Sequence, residues 1–102
     1  MIISFRNRAT EDLFYGRSSK AARKALPHKL WKIAGKRLDH LDSAEQLDDL
    51  KVPPGNRLES MKGSQRKGQF SIRINDQYRI CFCWTEQGPA EVEVVYYHDE
   101  VK

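Results

Sequence analysis

The sequence predicts an α+β fold, with an N-terminal strand and helices packed on one face of a mainly antiparallel sheet. Three observations predict it. Apolar residues recur at helical spacing from Leu30 to Leu41. Beyond the irregular stretch at Lys51–Leu58 the apolar period changes to two. The alternating runs there are separated by short turn signals, so successive strands become antiparallel neighbours. At 102 residues, 1–102 is the length of a single domain, and it can bury a modest core without metals or disulfides.

Each element has its own signal. Ile2–Phe5, "IISF", is a short first strand rich in β-branched and aromatic residues. In "TEDLFYG", Thr10 is placed to cap a short helix, Glu11 and Asp12 suit its first turn, and Gly16 ends it. Arg17–Leu41 is helical in composition, with a boundary at Pro27, because proline lacks the N–H and crowds the preceding turn. Leu30, Trp31, Ala34, Leu38 and Leu41 form one stripe of it, and Lys29, Lys32 and Lys36 fall on another face. Asp42–Leu50 predicts a short helix opened by a capping box of Ser43 and Gln46.

Pro53, Pro54 and Gly55 then break regular structure. Arg57–Met61 predicts a short strand and Lys62–Gly68, "KGSQRKG", a basic loop. Gln69–Asn75 is a strand with Phe70, Ile72 and Ile74 on one face. After a turn at Asp76–Gln77, Tyr78–Trp84 places Tyr78, Ile80, Phe82 and Trp84 on one face. Thr85–Ala90 turns again, and Glu91–His98 closes the sheet with Val92, Val94 and Tyr96 inward. These faces are expected to bury under the Trp31/Leu38 stripe. The opposite face carries Arg73, Arg79, Cys81, Cys83, Val95 and Tyr97.

Charge is unevenly spread. Lys and Arg number 18 against 14 Asp and Glu, a net charge of +4. Leu13–Leu38 holds eight basic residues and no acid; Asp39–Asp49 holds five acids and no Lys or Arg; Arg57–Arg79 holds six basic and two acidic residues. Two basic blocks around an acidic one mark interaction surfaces for an anionic partner.

Several function classes are excluded by pattern. "GKR" at Gly35–Arg37 lacks the upstream glycine of a phosphate-binding loop. His28, His40 and His98 are isolated, no pair has metal-ligand spacing, and there is no nucleophile-elbow motif. Neither a metal nor an organic cofactor is expected. Cys81 and Cys83, two residues apart, read as free thiols in a reducing compartment. No signal peptide and no membrane span is visible, so a cytoplasmic location is expected.

The remaining residues share one chemistry. Metal-free RNA cleavage needs a base for the 2′-hydroxyl, cations for the phosphorane and an acid for the leaving 5′-oxygen. Lys62, Arg73 and Arg79 can supply cations, and Glu59, Tyr97 and His98 can exchange protons. Arg66 and Lys67 of the basic loop, with Lys29, Lys32 and Lys36, are candidate RNA contacts.

Pro53–Trp84, "PPGNRLESMKGSQRKGQFSIRINDQYRICFCW", followed by "VEVVYYH" at Val92–His98, resembles the HigB branch of the RelE/ParE toxin superfamily. "MIISF" and "KLWKIAGKRLDHLDSAEQLDDL" fit the same pattern in the same order. The resemblance implies a RelE-like fold and a toxin that cleaves mRNA on the translating ribosome. It also implies a HigA-type helix-turn-helix antitoxin as partner, with operator DNA bound only through the antitoxin complex.

Lys62 in "MKG" and Arg79 in "QYRI" match functional positions of that family, and Tyr97 and His98 match the end of its Asp-Tyr-His closing motif. Two positions depart from the pattern. Tyr96 stands where the motif has Asp, and Glu59 stands where some members have His. These departures keep two alternatives open: a ParE-like inhibitor that poisons gyrase by binding, and a weakened toxin retained as a co-repressor.

Overall fold

A computed structural model describes residues 1–63 and 65–97. Its helices are α1 (Arg8–Phe14), α2 (Lys20–Ala25) and α3 (Trp31–Ser43). Its sheet is β1 (Glu59–Ser60), β2 (Phe70–Arg73), β3 (Tyr78–Thr85) and β4 (Gly88–Tyr96), paired in that order and antiparallel throughout. The fold is the expected α+β arrangement, with the helices on one face of the sheet. Ile72, Ile74, Ile80, Phe82, Val92 and Val94 bury against Ala34, Leu38 and Leu41 of α3, with Leu13, Ala22 and Leu26 closing the core.

The N-terminal segment joins the sheet more sparingly than a full strand. It runs parallel to β4 through one bridge, Phe5 to Val92. Hydrogen bonds from Ile3 N to Pro89 O (2.8 Å) and from Val92 N to Ser4 O (3.1 Å) hold it there. The reason is a bulge in β4. The pairing shifts between Cys81, which faces Glu93, and Cys83, which faces Ala90. Glu91 takes up the extra length at φ +54°, and its N–H is satisfied by Ser4 Oγ at 2.9 Å.

The cap of α1 lies three residues earlier than expected. Asn7 accepts the Thr10 N–H at 2.9 Å. Thr10 sits inside the helix, buried, and its Oγ1 accepts the Val94 N–H at 3.0 Å, tying α1 to β4. Asp12, also buried, receives Arg17 at 3.4 Å and pairs with Arg8 at 4.0 Å. Ser19 caps α2, and a 3-10 turn at His28–Leu30 follows Pro27 before α3 begins. Trp31 Nε1 donates to Leu26 O across that break at 2.9 Å.

The predicted Ser43/Gln46 box is displaced. α3 continues through Ser43, because its buried stripe extends to Leu41. The box is formed instead by Gln46 and Asp49, at the head of a 3-10 helix over Leu47–Lys51. Asn56, fully buried, donates to Leu50 O at 3.1 Å and lies 3.1 Å from His40 Nδ1, which fixes the proline segment beside α3. The strand expected at Arg57–Met61 shortens to Glu59–Ser60. Tyr96, expected inward, is 39 % exposed and packs its ring edge against Tyr78 at the sheet's end.

Candidate active site

Alternation on β3 sends Ile80 to the helices and Arg79 to the opposite face. There Arg79 stands between Arg73 on β2 and Val95 on β4. It is not an ordinary wet strand arginine, since only 3 % of it is exposed. Its side chain crosses β2 diagonally. Nε donates to Ser71 Oγ at 2.7 Å, and Nη2 donates to Ser71 O at 3.3 Å and to Arg57 O. Glu59 Oε2 lies 3.9 Å from Nη2. The Tyr97 ring covers the guanidinium, 5.1 Å from Cζ to its centroid.

A buried charge is tolerated only when it is paired and hydrogen-bonded. Burial pushes the Arg79 guanidinium below its ordinary pKa. Glu59, then Tyr97 and Cys81, push it back up, and Arg73 pushes it down again. Arginine starts so high that the group remains a cation at neutral pH. Two backbone features hold its surroundings. Arg57 turns left-handed at φ +46°, aiming its carbonyl at Nη2. Tyr97 is fixed by its N–H, which donates to Gln77 O at 2.6 Å.

Three predicted residues therefore converge: Arg79, Glu59 and Tyr97. Arg73 shares the face, but its head group goes elsewhere. It pairs with Asp76 at the β2–β3 turn, and its carbonyl accepts Arg37 Nε at 3.1 Å. Lys62 is exposed, three residues beyond Glu59 at the start of the basic loop. Lys67 is exposed in the same loop. Arg66 is turned inward, its side chain 13 % exposed, forming an ion pair with Glu93 at 2.8 Å and donating to Gln69 Oε1 at 3.3 Å. With Met61 N donating to Gln69 O at 2.8 Å, these contacts close the loop against the sheet. His98 lies outside the described residues.

Lys29, Lys32 and Lys36 line an open groove with Ile33 and Arg37 in the helical layer, across the core from Arg79. Sequence reasoning missed Ser71 and the Arg57 carbonyl. Ser71 left one trace, a small polar residue on the arginine face of a strand. The Arg57 carbonyl left none, since main-chain direction at one left-handed residue is not written in a motif. Chemically, the assembled site offers one desolvated cation beside an exposed carboxylate and a phenol.

A family model described as a RelE-like toxin of the type II toxin-antitoxin system HigB matches residues 4–99. Toxin HigB-1 of Vibrio cholerae is 35 % identical over 86 residues, covering 84 % of this chain and 86 % of that protein. An uncharacterized protein of Haemophilus influenzae is 37 % identical over 57 residues, covering 56 % of this chain and 55 % of its own length.

Proposed function

Because the chain belongs to the HigB-like family of RelE-like type II toxins, we propose that it is a ribosome-dependent mRNA endonuclease that arrests translation. Membership in that family brings an antitoxin partner. We take that partner to be of the HigA helix-turn-helix type, with operator DNA reached only through the complex, and we place the encounter with ribosome and mRNA in the cytoplasm. No helix among the described residues is long and apolar enough to cross a membrane.

The observation that carries this reading is the buried, fully oriented Arg79 guanidinium beside Glu59 and Tyr97. A cation held in a dry site interacts with developing phosphorane charge more strongly than one in water, and needs no reorganisation when the charge appears. Glu59, about half exposed, is loosely paired at 3.9 Å, so an incoming phosphate can displace it from Arg79. The freed carboxylate then accepts the 2′-hydroxyl proton. The 2′-oxygen attacks phosphorus, and the bond to the 5′-oxygen breaks. Tyr97 or His98 protonates that leaving oxygen. Lys62 and Lys67 at the loop, and the Lys29/Lys32/Lys36 stripe, add phosphate contacts to mRNA and ribosomal RNA.

The test is a purified translating complex. The wild-type chain is expected to cut mRNA only when ribosomes are present, and Arg79→Ala to abolish both cutting and growth arrest. Intact mRNA together with full toxicity of Arg79→Ala would sink the proposal.

A second reading, inhibition by binding, is favoured by the Tyr97 ring closing over Arg79. Gyrase-dependent DNA damage without translation arrest would select it.

A further inference from the structure

We infer that Ser71 is a positioning residue for Arg79, setting the orientation in which the guanidinium meets the phosphate. This rests on the nuclease reading above. The register puts Ser71 opposite Cys81 and Arg73 opposite Arg79, so Ser71 is the diagonal neighbour of Arg79 on the same face. To reach the Arg57 carbonyl, the arginine stem has to pass over position 71. A long or aromatic side chain would fill that path. Serine leaves it open and supplies an acceptor within it.

Ser71 engages the guanidinium twice, through Oγ at 2.7 Å from Nε and through its carbonyl at 3.3 Å from Nη2. Two contacts from one rigid strand residue set both the plane of the group and its tilt. Ser71 is itself fully buried, so water does not compete for the bond. Glu59 also meets the guanidinium at Nη2. Among the described residues the polar contacts thus fall on Nε and Nη2, and Glu59, the longest of them at 3.9 Å, is the one an incoming phosphate oxygen displaces. Without the Ser71 hydroxyl the fork rotates and loses its aim at that oxygen.

Ser71→Ala deletes the acceptor and little else. In the translating-ribosome assay we expect kcat to fall roughly ten- to a hundredfold, the loss typical of a misplaced catalytic group, with KM for the complex unchanged. Ser71→Thr, which keeps the oxygen, is expected to restore most of it. Thermal melts establish that both variants fold. A second readout needs no activity. In nitrogen-15 spectra the Arg79 Nε–H of the wild type should give a sharp, slowly exchanging signal that disappears in Ser71→Ala. A variant with unchanged kcat and an unchanged Arg79 signal overturns the inference, as does equal loss in Ser71→Ala and Ser71→Thr when both are folded. Should the wild type leave mRNA intact, the nuclease reading fails by itself. The Arg79 signal would still decide whether Ser71 holds the arginine.

Discussion

The Tyr97 ring lies over Arg79 with Cζ 5.1 Å from its centroid, roofing a cation that is only 3 % exposed. The aromatic face and the phenol hydroxyl can be separated experimentally. Tyr97→Phe keeps the ring, so the melting temperature should stay near wild type. Loss of the hydroxyl should slow mRNA cleavage about a hundredfold if it transfers the leaving-group proton. Unchanged cleavage would assign that proton to another group.

Arg79→Met should separate stability from function. Methionine fills a similar volume but leaves the buried Ser71 hydroxyl and the Arg57 carbonyl without their donor. Urea unfolding should therefore put the variant about 1–3 kcal/mol below wild type and still folded. Cleavage should drop about a hundred- to a thousandfold, as expected when a preorganised charge is removed from a transition state. A strongly destabilised Arg79→Met protein would make the arginine a structural post instead.

Acid should weaken the clasp between α1 and α2. Hydrogen bonding from Ser19 lowers the Asp12 pKa most, burial opposes it, and Arg17 and Arg8 lower it further. A carboxyl with a depressed folded-state pKa stabilises the fold fully above its ordinary unfolded value, about 3.9, and loses that contribution as pH falls through the lower folded value. The gap in urea midpoint between wild type and Asp12→Asn should thus be constant from pH 7 to about 5 and shrink below about 4. A gap that persists unchanged at about pH 3 would contradict it.

The lysine groove should act through salt. Replacing Lys29, Lys32 and Lys36 together by Gln should weaken ribosome binding. It should also flatten the slope of log affinity against log salt by about one for each phosphate no longer neutralised. Folding and the Arg79 site, on the far side of the core, should not change. A parallel line displaced to weaker binding would mean that these lysines neutralise no phosphates.

Much of this was legible in the residues. The alternation in "SIRINDQYRICF" correctly assigned Ile72, Ile74, Ile80 and Phe82 to the core and Arg79 to the other face. Its degree of burial was not legible, because the cover arrives from Tyr97, from the Arg57 carbonyl and from Glu59, all distant in sequence. The same limit applies to Arg66, which reads as a loop cation until Glu93 is folded against it. Local rules also competed. Thr10 and Asn7 are both good caps, and the one whose hydroxyl was needed by β4 became a helix residue. Ser43 gave up its capping role because the apolar stripe before it favoured one more turn of helix.

The N-terminal segment along β4 has a consequence for how this chain behaves in a crowded cell. An uncovered β-strand edge is a template onto which a second molecule can grow a sheet. Here the outer edge of β4 is already occupied by Ile3 and Ser4, and the opposite border is a strand only two residues long. The fit is close enough that Gly88 admits no side chain: a Cβ there would stand 2.5 Å from the Met1 carbonyl oxygen. Gly88→Ala, which also burdens a φ of +133°, would lift the segment away and open a hydrogen-bonding edge. A small glycine at a hairpin thus acts as a safeguard against self-assembly.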